Sequence, residues 1–286
     1  MSVILNSLKR LSYRPEVLKP IQKLGLSSVL RRAYFHFAKP SSGILETEIV
    51  GVPARFYART PEELRILESA GGAGGEQRVL STLARFLKPG DVAVDVGANV
   101  GLYTVLLART VGSQGLVIAC EPGGRNFEHL GENLKLNGLT NVRLFRKALG
   151  NTSGQAKLYA STVIGNSSLA SGKNGNAVAE DVELIEGDRL IAQENLPVPR
   201  ALKIDVEGFE YAVLKGFERT LRDQACQFVA CEVHPSLLPE NVEISMILRL
   251  LEICGFNNIQ TYARWDKTFH LVATKNGSLM PLNSKR

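Results

Sequence analysis

From Glu76 onward the chain alternates between two hydrophobic periods. In EQRVLSTLARFLK, apolar residues three and four apart predict a helix that buries Val79, Leu80, Leu83, Phe86 and Leu87 and stops at Pro89-Gly90. VAVDV follows as a short, continuous apolar run ending in a glycine-rich turn, which predicts a buried strand. The same alternation continues with helix LYTVLLARTV, strand LVIACE and helix RNFEHLGENLKLNG. It resumes with strand ALKIDV, helix EYAVLKGFERTLRD, strand QFVACEV and helix EISMILRLLEIC, closed by Gly255. Strands apolar on both faces, each followed by a helix, predict an α/β fold: a mostly parallel sheet with helices on both faces. The last two strand-like segments, IQTYAR and TFHLVAT, lie only a few residues apart and should form a C-terminal antiparallel hairpin.

The flanking regions are less regular. Residues 47–58 alternate enough for a short hairpin, with Gly51–Pro53 as its break. PEELRILESAGGAGG then reads as a charged helical turn ending in a glycine-rich linker or flap, and residues 150–177 read as a polar loop. The pattern divides the chain into a basic helical extension (1–45), a hairpin and linker (46–75), the main domain (76–276) and a polar tail (277–286).

Composition narrows the function classes. The chain has 286 residues and a net charge of +6, but residues 1–40 alone carry +7 and the remaining 246 carry −1. The basic character belongs to the N-terminus, so a nucleic-acid surface on the main domain is not expected. No apolar run reaches the roughly 18 residues of a membrane span, and the N-terminal apolar stretch is too short for a signal-peptide core. Four cysteines without CxxC spacing suit buried thiols in a reducing, cytoplasmic setting. Residues 20–38 carry Leu26, Val29, Leu30, Ala33 and Phe37 at the spacing of one helix face, with Arg31 and Arg32 opposite. Such a helix could pack on the body, or lie on an anionic surface such as the inner membrane face.

The chemistry centres on VAVDVGANVGLYT, residues 92–104. A buried strand ending in Asp95 turns through Gly97, Asn99 and Gly101 into a helix whose first amides can face an anion. No glycine stands two places after Gly97, so the turn departs from the dinucleotide GxGxxG pattern. Glu121, twenty residues after Gly101 at the end of the next strand, can accept both hydrogen bonds of a ribose diol. Asp205 and Glu207 in KIDVEG, and Glu232 and His234 in CEVH, stand two apart at the ends of two further strands. Each has a structural alternative: Asp205 and Glu207 could cap the next helix, and His234 could bond to backbone.

These segments, in this order, resemble the FkbM type of class I S-adenosylmethionine-dependent methyltransferases. The resemblance rests on GEQRVLSTLARFLKPGDVAVDVGANVGLYT, EPGGRNFEHLGENLKLNGLTNV, NSSL, LKIDVEGFEYAVLKG and ACEVH, within residues 76–235. KIDVEGFE is its most specific box; Pro122-Gly123-Gly124 departs from the Pro-Asn or Pro-Asp of many members. The resemblance implies a Rossmann-like sheet binding S-adenosyl-L-methionine. Asp95, Gly97, Asn99 and Gly101 would hold its methionine end, with Glu76 nearby, and Glu121 its ribose. Asn126 and Ala148 would lie near the adenine. It further implies O-methylation of a hydroxyl on a sugar, glycan, glycolipid or secondary metabolite. Asp205 and His234 would then orient and deprotonate the acceptor, supported by Glu207 and Glu232. A carboxylate cluster of this kind can also hold Mg²⁺ or Ca²⁺, although the reading needs no metal. The competing functions are a dinucleotide-dependent oxidoreductase and a membrane-surface protein with a degenerate cofactor site.

Deleting residues 1–40 is expected to spare cofactor binding and to weaken binding to acidic liposomes in a salt-sensitive way. Undiminished liposome binding by the truncated protein would make the basic arm a solvated face.

Overall fold

The computed structural model describes residues 34–69, 75–160, 167–168, 178–264 and 268–275. Residues 1–33, and with them most of the basic extension, lie outside the described residues. A helical turn over residues 34–38 buries Tyr34, whose hydroxyl donates to Glu68 (2.7 Å), and leaves Phe37 65% exposed. The face expected from Phe37 is thus not the packed one at this end, and a truncation that isolates the basic arm must stop at residue 33.

Strands β1 (Ile44–Ile49) and β2 (Val52–Tyr57) form an antiparallel hairpin. Its two-residue turn is Val50-Gly51, both with positive φ, as a right-twisting hairpin requires. Pro53, expected to break the hairpin, instead pairs with Glu48 inside it. Helix α1 (Pro61–Ser69) is fixed by a reciprocal cap: Thr60 Oγ1 accepts the Glu63 amide, and Glu63 Oε2 accepts the Thr60 amide. Helix α2 (Gly75–Phe86) follows and buries Val79, Leu80 and Leu83, as its periodicity predicts.

The main domain runs β3 (Val92–Val96), α3 (Leu102–Val111), β4 (Leu116–Cys120), α4 (Gly124–Leu136) and β5 (Val142–Phe145). It continues through β6 (Ala148–Gly150), β7 (Gly154–Ala160), β8 (Ser167–Ser168), β9 (Val178–Glu186), α5 (Gly187–Gln193) and β10 (Ala201–Ile204). The last elements are α6 (Glu210–Gly216), α7 (Glu218–Arg222), β11 (Phe228–Val233), α8 (Ile244–Ile253), β12 (Asn258–Ala263) and β13 (Phe269–Thr274). Seven strands form one sheet in the order β12-β13-β11-β10-β3-β4-β5. Pairing is parallel from β11 through β5, while β13 runs antiparallel to both of its neighbours. This is the expected Rossmann-like, mostly parallel sheet with a C-terminal antiparallel hairpin.

Strand alternation divides the interior into two cores. One face of the sheet presents small residues, Ala93, Ala119, Ala201 and Ala230, to α2, α3, α4 and the N-terminal hairpin. The other presents Val94, Ile118, Leu202 and Val229 to α5, α6 and α8. Helices therefore cover both faces, and burying these apolar surfaces drives the fold. The single helix expected over EYAVLKGFERTLRD divides into α6 and α7 beside Gly216. A Cβ there would stand 1.8 Å from the Gly150 carbonyl oxygen, so the chain must pass β6 as glycine.

The region read as a polar loop supplies β7 and β8 to a second sheet, ordered β6-β9-β7-β8. Its β7–β9 pair buries Leu158 and Val182 and leaves the Lys157–Asp181 pair on the exposed side. One-sided burial with short side chains weakens the alternation that marks a strand. All four cysteines are buried free thiols, and no helix among the described residues is long and apolar enough to cross a membrane.

Chain connections leave β3 toward β4 on one side and return to β10 on the other. In open α/β sheets, this reversal opens a crevice outside the strands' carboxyl ends.

Candidate functional site

A cavity of about 390 Å³ occupies that crevice. Its floor is the turn after β3. Gly97 has φ +75°, and a Cβ there would stand 1.9 Å from the Asp205 carbonyl oxygen. Gly101 has φ +97°, and a Cβ would stand 2.7 Å from Leu130 Cδ1 of α4. These glycines are required first by the approach of β10 and α4, since only glycine combines such a φ with such proximity. Asn99 takes the remaining left-handed position, and its amide donates to Glu121 Oε2 (2.9 Å).

Of the residues expected at the cofactor, Glu76, Gly97, Asn99, Glu121, Asn126 and Ala148 line the cavity. Asp95 and Gly101, expected there as well, lie behind that lining. Asp95 is fully buried beneath the turn, where it accepts the Thr104 hydroxyl (2.6 Å) and faces Lys203 Nζ (3.3 Å). Gly101 is spent on packing against Leu130. Glu121 closes one end of the cavity and also accepts the Gly123 amide (3.0 Å). Burial raises its carboxyl to about 7, against the lowering effect of these two amides. Its remaining lone pairs can receive a vicinal diol, and Leu149 and Leu158 supply apolar wall nearby for a flat ring.

Asp205, Glu207, Glu232 and His234 all line the cavity, so the strand-end acids and the histidine do converge. His234 Nε2 faces Glu207 Oε2 (3.5 Å), Glu232 Oε1 (3.7 Å) and Asp205 Oδ1 (4.0 Å). Its Nδ1 bonds to Glu210 Oε1 (2.8 Å), an oxygen that also accepts the Gly208 amide. Glu210 itself is wholly buried. Burial alone would lower the imidazole, but the Glu210 bond and the Asp205 and Glu207 charges outweigh it and hold His234 at about 10. With Nδ1 bonded to Glu210, His234 turns Nε2 toward the cavity as an imidazolium at neutral pH, a donor rather than a base. Capping is also excluded for Asp205, because Glu210 makes the bond to the Gly208 amide. Burial raises Glu207 to about 7, into the range of a general base working near neutrality. It raises Glu232 to about 9, with the Asp205 charge adding to the effect and Arg264 opposing it.

Further residues that sequence reasoning did not assign complete the site. Lys203 is buried between Asp95 and Asp205 (3.3 and 3.8 Å) and donates to the Gly97 carbonyl (3.2 Å). A lysine inside an otherwise apolar strand was its visible signal. Arg264, just after β12, donates to Glu232 Oε1 (2.7 Å) and Glu76 Oε2 (3.1 Å). His270 lies opposite Glu232 in the β11–β13 register and 3.7 Å from Glu76 Oε2. Desolvation lowers its pKa and keeps it neutral, outweighing the pull of Glu76. Two trios, Glu76–Glu232–His270 and Asp205–Glu207–His234, have the composition of metal ligands. The first also faces the Arg264 cation, which donates to Glu76 and Glu232.

A family model described as the methyltransferase FkbM domain matches residues 95–257. The hexuronic acid methyltransferase AglP of Haloferax volcanii is 31% identical over 195 residues, covering 68% of this chain and 76% of its own. Methyltransferase sdnD of Sordaria araneosa is 29% identical over 202 residues, covering 60% of this chain and 76% of its own. Among solved structures, the methyltransferase FkbM from Methylobacillus flagellatus aligns with a TM-score of 0.46 at 17% identity, over 63% of this chain and 43% of its own.

The two site histidines should titrate in opposite directions in a heteronuclear NMR experiment. His234 is expected to stay protonated through neutrality and titrate near 10, while His270 titrates below its ordinary 6.5. A His234 that loses its proton below 7 would contradict the imidazolium assignment.

Proposed function

Because the chain belongs to the FkbM methyltransferase family, we propose that it transfers a methyl group from S-adenosyl-L-methionine to a hydroxyl of a sugar, in a glycan or glycolipid, or of a secondary metabolite. One observation carries this reading: Asp205, Glu207, Glu232 and His234 meet at the lining of the same cavity that Glu121 lines. The sugar assignment is supported by similarity to a relative named for methylating a hexuronic acid.

The cofactor fits the residues present. Glu121 would accept the ribose hydroxyls, Asn126 and Ala148 would flank the adenine, and Gly97 and Asn99 would line the amino-acid end beside Glu76. When bound, S-adenosyl-L-methionine supplies an electrophilic methyl group on a sulfonium. In-line transfer depends mainly on positioning, and an alcohol acceptor must also lose its proton. His234, fixed through Nδ1 by Glu210, presents Nε2–H to the acceptor oxygen and orients it. Glu207, which titrates at about 7, takes the hydroxyl proton. Asp205, facing both Lys203 and His234, keeps the polar end in register. Glu232, tied to Arg264, holds the C-terminal hairpin against this end of the cavity.

Transfer of an isotopically labelled methyl group to extracted glycans, glycolipids and small metabolites, read by mass, tests the reading. Turnover should rise with pH through about 7, because the base works only when Glu207 has lost its proton. Glu207→Gln should lower turnover by roughly 10²- to 10⁴-fold and leave S-adenosylhomocysteine affinity within about twofold. A variant that keeps its turnover, or its alkaline rise, would move the proton transfer to another group.

A further inference from the structure

The cofactor carries one anionic group, the α-carboxylate of its amino-acid end. The residues expected there, Asp95, Gly97, Asn99 and Gly101, include no cation. We propose that Arg65 of α1 binds this carboxylate; the inference rests on the cofactor reading above.

The cavity wall carries five groups that are cationic at neutral pH: Arg65, Lys147, Lys203, His234 and Arg264. Four are already engaged: Lys147 by Glu183, Lys203 by Asp95 and Asp205, His234 by Glu210, and Arg264 by Glu76 and Glu232. Arg65 differs. Its Nε is buried without a hydrogen-bond partner, and its guanidinium meets no carboxylate among the described residues. A buried donor left unpaired costs stability unless a ligand completes it. The planar guanidinium matches a carboxylate as a two-pronged donor. Elsewhere the wall offers a carboxylate the carboxylates of Glu76 and Asp205, and cations already engaged by acids.

Local structure holds Arg65 in place. The reciprocal Thr60–Glu63 cap begins the helix, and Leu64 and Leu67 anchor it in the core on either side of Arg65. The same wall includes Val100 and Leu102 at the entry to α3, where first-turn amides add positive potential. Arg65 would thus fix the amino-acid end of the cofactor and, with it, the direction in which the methyl group points.

Calorimetric titration of the full-length protein with S-adenosylhomocysteine and with 5′-methylthioadenosine tests this without turnover. The second probe keeps the adenosine and sulfur but lacks the amino-acid end. Arg65→Gln should weaken S-adenosylhomocysteine binding roughly 10- to 100-fold and leave 5′-methylthioadenosine within about twofold, with Arg65→Lys intermediate. The intact second affinity also reports that the variant is folded. Unchanged S-adenosylhomocysteine binding, or equal losses for both probes, would overturn the proposal. A wild-type protein that binds both probes equally well would overturn it while leaving the cofactor reading in place. If the wild type binds neither probe, both fall together.

Discussion

The site depends on one buried cation. Lys203 stands in the middle of the sheet on β10, directly opposite Asp95 of β3 in the strand register, and is only 6% exposed. Removing an ammonium from water costs several kcal/mol, so it must be repaid locally. Asp95, Asp205, the Gly97 carbonyl and the ring of Tyr103, 4.7 Å away, make that repayment. Burial alone would lower its pKa, but these carboxylates reverse the shift and keep it charged. One side chain thereby ties the end of β3, the turn after it and the end of β10 into a single unit. Gly97 approaches the Asp205 carbonyl so closely that no side chain fits between them. The crevice is therefore shaped before any ligand arrives.

The same principle, burial balanced by specific partners, separates two histidines only a few residues from the same acids. His234 has a direct bond to Glu210 and three carboxylates around Nε2, so its charge is retained. His270 has carboxylates only at 3.7 and 3.9 Å and an opposing Arg264 nearby, so desolvation prevails. Glu207 lies between these extremes, which is where a proton acceptor working near neutrality belongs. The chemistry proposed for the cavity follows from this ordering of protonation states rather than from any single residue.

Much of this was legible in the sequence. The β3–α3 turn, the alternating strands and helices and the four polar residues at the ends of β10 and β11 follow from local periodicity and spacing. What escaped depends on long-range register. Arg264 meets Glu76 across 188 positions, and no local pattern announces that pairing. His270 reaches Glu232 only once the register of the C-terminal hairpin is set, and that register is not readable from the two strands alone. The β7–β9 sheet was hidden by short side chains and charges on its exposed face. The turn's spacing does not show that Asp95 pairs with Thr104 and Lys203, or that Gly101 packs against Leu130, because those partners are set by the tertiary fold. Even the Thr60-Pro61-Glu62-Glu63 cap signal, visible in the sequence, did not reveal that α1 carries a cation into the cavity.

Lys203 and Asp95 act as one buried charged unit supporting the crevice. A double-mutant cycle in urea, with Asp95→Asn, Lys203→Met and the combined variant, measures this directly. Asp95→Asn leaves Lys203 paired with Asp205 alone, and Lys203→Met leaves Asp95 with only the Thr104 hydroxyl; each should cost about 3 kcal/mol, whereas the double variant should lose clearly less than the sum. Losses that add to within about 0.5 kcal/mol would show two independent residues and contradict the account.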